Sequence, residues 1–162
     1  MEYAVQVWNP YIDKDIALLE RVQRRATRMS NELRELEYTE RLKAWDLTTL
    51  EVRRARGDAI QMHKLNNKVE EINWFRGPKS AYNPYGVSGL RGCKSKNSQS
   101  LVKESFPTKN VNDFCHFVTV RREFFTNRVT EVWNHLPDEV ISAPTTNSFK
   151  AKFDGFSKNK LL

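Results

Sequence analysis

An amphipathic pattern near the start of the chain constrains its fold more than any other feature. From residue 16 onward, apolar side chains recur at steps of three and four, which at about 100° per residue places them on one helix face. These residues are Ile16, Leu19, Val22, Ala26, Met29 and Leu33. Asp13 is suited to cap the helix, which we predict to begin near Lys14. The opposite face carries four arginines, Arg21, Arg24, Arg25 and Arg28. The pattern therefore predicts a helix with an apolar side and an arginine side.

Two further helices are predicted in the first half of the chain. Thr39 is suited to cap a short helix in which Leu42 and Trp45 share a face. Thr48 and Glu51 form a capping-box pattern for a helix that is expected to run to about Asn66. Its apolar stripe is thin and consists of Val52, Ala55, Ala59 and Met62. Arg54 and Asp58 have the spacing of an ion pair along this helix.

The end of the chain also has a helical pattern. Phe125, Val129, Val132 and Leu136 form a narrow stripe with Trp133 at its edge, and Pro137 stops that helix. A last helix, capped by Thr146 or Asn147, aligns three phenylalanines at steps of four and three. These are Phe149, Phe153 and Phe156.

The middle of the chain differs in composition. Residues 76–103 hold six basic side chains, no acid and four of the six glycines, so we expect a mobile basic connector with order only around Tyr82 and Tyr85. Residues 117–121 favour a short strand or extended chain. The predicted fold is therefore mainly α, with four to five helices, a long basic loop and at most one short strand pair. The predicted divisions are a helical region over 1–75, a connector over 76–113 and a helical block over 114–162.

Residues 2–8 are apolar enough for a strand or a buried helix end. A domain that begins with so buried-looking a segment is expected to be a truncated piece of a longer protein.

Composition and motifs exclude several function classes. The net charge is +7 and the sequence pI is about 9.5, which suits a nucleic-acid or acidic-membrane neighbour, or a charge that serves solubility alone. No stretch approaches the roughly 18 apolar residues of a membrane span, and the start of the chain lacks the features of a secretory signal. Cys93 and Cys115 are too few for a disulfide framework, so we expect a reducing compartment, nucleus or cytoplasm.

The sequence shows no catalytic or metal site. The cysteines and the three histidines lack the close spacing of zinc ligands, and no nucleophile elbow or phosphate-binding glycine loop is present. The paired acids, such as Glu70–Glu71 and Asp138–Glu139, fit helix ends or turns rather than a two-metal site. We therefore expect no cofactor, no metal and no enzymatic activity of this chain by itself.

The arginine face has three interpretations. Four guanidinium groups on one stripe can follow a phosphate backbone, or form an ordinary solvated face, or meet an acidic protein. A rival interpretation of the same helix is an interaction module that dimerises or binds a polymerase partner through its apolar face. That face would use Ile16, Leu19, Val22, Ala26 and Met29.

Several long motifs of the chain resemble one family. They are EYAVQVWNPY, DIALLERVQRRATRM, LRELEYTERLKAWDLTTLEVRRARGD and FFTNRVTEVWNHLPDEVISAPTTNSFKAKFDGF. Over residues 2–75 and 117–156 the chain resembles the region that follows the polymerase palm in jockey-like, LINE-type non-LTR retrotransposon proteins, which combine an endonuclease with a reverse transcriptase.

The resemblance implies a helical C-terminal region that helps to hold RNA or an RNA–DNA hybrid beside the polymerase domain. No Asp-Asp pair occurs in the chain, so no catalytic residue of the family carries over. The expected phosphate contacts are the four helix arginines, followed by three residues of the connector, Arg91, Lys94 and Lys96. A decayed copy without activity is the remaining alternative.

Overall fold

A computed structural model describes residues 4–71, 79–80, 99–102 and 124–160, and this part of the chain is mainly helical. The prediction of a mainly α fold is confirmed. The α-helices are α1 (Val5–Trp8), α2 (Asp13–Thr27), α3 (Tyr38–Ala44), α4 (Leu50–Asn66), α5 (Phe125–Asn134), α6 (Asp138–Ile141) and α7 (Thr146–Lys160). A 3-10 turn spans Asn31–Leu33, and β1 (Lys79–Ser80) pairs antiparallel with β2 (Leu101–Val102).

The chain divides into two compact units, Met1–Gly57 and Asp58–Leu162, and the division falls within α4. The predicted divisions after residues 75 and 113 stay predictions. Residues 117–121, Tyr82 and Tyr85 lie outside the described residues.

In the first unit, α2 begins within one residue of its predicted start but ends at Thr27, before the last two residues of the predicted stripe, Met29 and Leu33, and it buries a different face. Gln23 and Thr27 are buried, whereas Val22 and Met29 from the predicted apolar face are 51% and 83% exposed. The predicted orientation of this helix is therefore wrong for half of its stripe. The cause is that the inward-facing polar groups are hydrogen-bonded, and a paired polar side chain can be buried at little cost.

The helix starts differ from the predicted caps by one or two residues. Ile12 holds the N-cap position of α2, and Glu37 rather than Thr39 holds that of α3, where its backbone N–H donates to the Glu40 carboxylate at 3.2 Å. At α4, the Thr49 hydroxyl accepts the backbone N–H of Val52 at 3.4 Å, so Thr49 rather than Thr48 caps this helix.

The core of the second unit is built from the end of α4, from α5, α6 and α7, and from Leu101 of β2. Trp133 and Phe149 are fully buried at its centre, with ring centroids 6.2 Å apart. The predicted place of Trp133 at the edge of its stripe is wrong. Its indole N–H donates to the carbonyl oxygen of Gln99 at 2.9 Å, and this partner lets the whole ring be buried.

A buried ion pair joins α4 to α5 within the second unit. Arg128 donates from Nε to Asp58 Oδ2 at 2.7 Å and from Nη2 to Oδ1 at 3.0 Å. Asp58 thus pairs with an arginine 70 residues away and not with Arg54, as its spacing along the helix had predicted.

A short segment of the predicted connector joins this core. The Asn134 side chain accepts the Leu101 backbone N–H and donates to the Leu101 carbonyl oxygen, both at 2.8 Å. Leu101 is 5% exposed. Order within the connector therefore exists where the composition had not predicted it.

Candidate nucleic-acid interface

The four predicted arginines lie together on the exposed side of α2. Arg21, Arg24, Arg25 and Arg28 are all exposed. Their grouping follows from the helical repeat, because steps of three and four return to the same side of a helix. The prediction that they share a face is confirmed by their common surface cavity.

Polar anchors on the opposite side fix the rotation of α2. Glu20 Oε2 accepts the backbone N–H of Leu50 at 3.0 Å, at the start of α4. Gln23 Nε2 donates to the Thr48 carbonyl oxygen at 2.9 Å and to the Tyr38 hydroxyl at 3.1 Å. Because these bonds hold one side of α2 inward, they turn its arginines outward.

Tyr38 links the anchors to the arginine side. Its hydroxyl donates to Glu20, and the Arg24 guanidinium lies 4.7 Å from the centroid of its ring. Burial, followed by the hydrogen bond to Glu20, raises the pKa of Tyr38 from 10.0 to about 12. The ring therefore stays neutral, and it positions Arg24 through a cation–π contact.

The arginines of α2 border a surface groove of about 560 Å³. Arg34, which follows the 3-10 turn, and Arg41 of α3 complete its basic lining. The remaining lining residues are Glu35, Leu36, Glu37 and Tyr38. Six guanidinium groups thus face two carboxylates around one groove, which makes its electrostatic potential positive.

Arg41 has a different role from the exposed arginines. It is only 2% exposed, its Nε donates to the Thr27 hydroxyl at 3.3 Å, and its Nη1 donates to the carbonyl oxygen of Leu36. Its guanidinium also lies 5.7 Å from the Tyr38 ring centroid. Arg41 therefore fixes the wall of the groove while it adds to the positive charge there.

Sequence reasoning missed Arg34 and Arg41 as members of this site. Both lie outside the periodic pattern of α2, and only the turn between α2 and α3 brings them to the same groove. Tyr38 was the available signal, since an aromatic ring near several arginines is a common cation–π partner. The second predicted set, Arg91, Lys94 and Lys96, lies outside the described residues.

The charge and the spacing of the groove arginines suit contacts with phosphate groups. Guanidinium groups match phosphate oxygens with two parallel N–H donors, and several groups along one helix can contact successive phosphates. Phosphate contacts carry no sequence information by themselves. The arrangement thus suits a sequence-independent contact with a nucleic-acid backbone.

No group of three or more His, Cys, Asp or Glu side chains within the described ranges is placed to hold a metal ion. None of the described helices combines the length and the hydrophobicity needed to cross a bilayer. Comparisons with protein-family models, with curated proteins and with solved structures find no match to this chain.

Proposed function

We propose that this chain is a non-catalytic C-terminal part of a jockey-like non-LTR retrotransposon reverse transcriptase, and that its first unit binds RNA or an RNA–DNA hybrid. The observation that carries the proposal is the convergence of six arginines on one groove. The expected contacts are phosphates, and the first residues to make them are Arg21, Arg24, Arg25 and Arg28. The resemblance of the long motifs to that family supplies the identity of the polyanion.

The charge pattern of the groove fits phosphate binding better than it fits an ordinary solvated face. A helix face that serves solubility alone commonly mixes acids with bases, so that the charges pair along the helix. Beyond its first turn, where Asp13 and Asp15 are exposed, the exposed side chains of α2 and its C-cap include four arginines and no acid, and the two groove acids, Glu35 and Glu37, lie beyond that helix. This separation leaves the guanidinium groups of α2 available to an outside anion.

The groove is also partly organised before a ligand binds. Arg24 rests on the Tyr38 ring, and Arg41 is fixed by two hydrogen-bond acceptors. Groups that are already held in place lose less conformational entropy when they bind. We therefore expect the groove to bind a regular phosphate backbone more tightly than the same number of dispersed basic residues would.

The test is the salt dependence of RNA binding. Each lost phosphate contact lowers the slope of log Kd against log salt by about one. A variant with Gln at the four α2 arginines is expected to bind an RNA–DNA hybrid more weakly and with a slope lower by about three to four. The measurement is a filter-binding titration at several salt concentrations.

A variant with the same loss of charge is the control. It carries Gln in place of four lysines outside the groove, Lys43, Lys68, Lys150 and Lys152. We expect this control to change the slope by less than about one, because screening weakens charges that do not touch the phosphates. Equal slopes for both variants, or an unchanged slope in the arginine variant, would refute the groove as the binding site.

A further inference from the structure

The exposed side of α2 carries an apolar strip next to its arginines. Leu18 is 44% exposed, Val22 is 51% exposed and Met29 is 83% exposed. Together with the exposed Ala26, these residues form what we call the apolar seam. Met29 lies two residues beyond the end of α2 at Thr27, so the helical part of the seam, from Leu18 to Ala26, is about 12 Å long at a rise of about 1.5 Å per residue.

The seam lies away from the buried side of α2. That side holds Gln23 and Thr27, whose side chains bond to groups of α2, α3 and the start of α4. Exposed apolar side chains in a row, bordered by charged groups, are typical of an interaction surface. The seam is thus a second feature of α2, distinct from the arginine groove.

The spacing of the arginines beside the seam matches a helix-pairing pattern. If Val22 holds an a position of a heptad and Leu18 holds the preceding d position, then Arg21 falls at g, and Arg28, the C-cap residue of α2, falls at the next g. Side chains at g reach across to the partner helix, where they select opposite charges. Arg25 falls at the intervening d position and needs a facing carboxylate for the same reason.

We propose that the apolar seam binds an amphipathic helix of a partner protein whose apolar edge is flanked by Glu or Asp. Charge complementarity identifies this occupant. A second copy of this chain would meet like charges in either orientation: an antiparallel pair sets Arg21 and Arg28 at g against g positions of the other copy, and a parallel pair sets Arg25 at d against the same residue, which disfavours pairing. A lipid surface would meet a narrow strip interrupted by Arg25, whereas an acidic helix supplies both the apolar contact and the carboxylates.

The arginines that border the seam also line the groove, whereas the apolar residues of the seam do not. Arg21, Arg25 and Arg28 line the groove, whereas Leu18 and Val22 do not. Substitution of the apolar pair therefore separates helix binding from RNA binding. This inference does not depend on the identity of the polyanion.

The experiment uses the full chain and two designed helical peptides of equal length. Both peptides carry Leu at a and d, one carries Glu at e and g, and the other carries Lys there. Fluorescence anisotropy is expected to give micromolar binding of the Glu peptide and binding of the Lys peptide that is weaker by about a hundredfold. The double variant Leu18→Gln, Val22→Gln is expected to weaken the Glu peptide by at least about tenfold, because its seam no longer buries apolar surface.

Two controls accompany the double variant. Val69→Gln changes another exposed apolar side chain, 60% exposed and outside the seam, and is expected to leave peptide binding within about twofold. The RNA affinity of the double variant, measured in parallel, is also expected to stay within about twofold because its arginines remain. Far-UV circular dichroism checks that all variants keep their helix content.

Several results would overturn the proposal. Equal binding of the two peptides would show that the flanking charge is not recognised. Binding of the Glu peptide that survives Leu18→Gln, Val22→Gln would show that charge is recognised without the apolar seam. A dimer in light scattering that Val22→Gln converts to a monomer would make a second copy the occupant. Sedimentation with phosphatidylserine vesicles that the same substitution abolishes would make it a membrane.

Discussion

The ion pair between Arg128 and Asp58 offers a sharp test of the second unit. Its two side chains are 12% and 5% exposed, and two hydrogen bonds of 2.7 and 3.0 Å join them. Arg128→Met removes the guanidinium and leaves a carboxylate that water scarcely reaches. Leaving one partner of a buried pair uncompensated costs about 3–5 kcal/mol. We therefore expect a loss of that size in the free energy of unfolding of this unit.

The pair between Lys64 and Glu70 is a matched control within the same unit. The two atoms are 2.6 Å apart, yet the side chains are 31% and 42% exposed. The hydrogen bond from Lys64, followed by that from Gln61, lowers the pKa of Glu70 below its usual value. Because water and salt screen so exposed a pair, we expect Lys64→Met to cost less than about 1 kcal/mol. We expect the difference in burial, and not the shorter distance of the Lys64–Glu70 pair, to determine which substitution costs more free energy of unfolding.

Native-state hydrogen exchange of the α5 backbone amides measures both costs, because core amides exchange through the larger opening reactions. In the double variant Asp58→Asn, Arg128→Met, both charges are gone, so we expect a cost at least about 2 kcal/mol below the sum of the single costs. Added salt should change the Lys64 result more than the Arg128 result. If Arg128→Met costs no more than Lys64→Met, the reasoning from burial is refuted.

Three other predictions concern single positions of the described helices. Gly57→Ala and Gly155→Ala should each stabilise the chain by about 0.5–1 kcal/mol in thermal unfolding, because alanine favours helix more than glycine does. A Cβ at Gly57 would make only an ordinary contact of 3.7 Å, and one at Gly155 would meet nothing within 4 Å. A loss of stability would contradict this prediction. Tyr38 keeps its proton above pH 10, where an unfolded tyrosine loses it. The free energy of unfolding of the first unit should therefore fall as the pH rises from about 10 to about 12. The part of the phenolate absorbance that Tyr38→Phe removes should titrate with a pKa near 12. Asn134→Ala removes both hydrogen bonds to the backbone of Leu101 and should speed exchange of that amide by about tenfold or more, whereas Asn134→Asp keeps the acceptor and should have a smaller effect.

The local elements of this fold were largely predictable from the sequence. The start of α2 and the end of α4 at Asn66 agree with the sequence pattern, and the shared face of the four arginines follows from the helical repeat. The phenylalanines of α7 also behave as their spacing predicted, since Phe149 and Phe153 are buried and Phe156 packs beside them. These features depend on residues within a few turns of one another, which is the range that a sequence pattern describes.

The groove was only half predictable, because its other half depends on tertiary contacts. Arg41 is buried by bonds to Thr27 and to the Leu36 carbonyl oxygen, and neither partner forms a recognisable motif with it. The partner of Asp58 likewise comes from a helix 70 residues later. Spacing along one helix favoured Arg54 for that role, but spacing alone cannot weigh a distant guanidinium that approaches with two donors.

The rotation of α2 connects the failed prediction with both proposed surfaces. The hydropathy pattern predicts that the apolar residues of α2 are buried. In the structure, Glu20 and Gln23 instead hydrogen-bond to α3 and to backbone groups at or just before the start of α4. Because these polar side chains occupy the buried side of the helix, Leu18 and Val22 remain on the solvent-exposed side beside the arginines. An exposed apolar strip beside a basic face is then a consequence of polar burial on the other side. The anchors that turn the arginines toward a phosphate backbone therefore also expose the seam to which we assign an acidic helix.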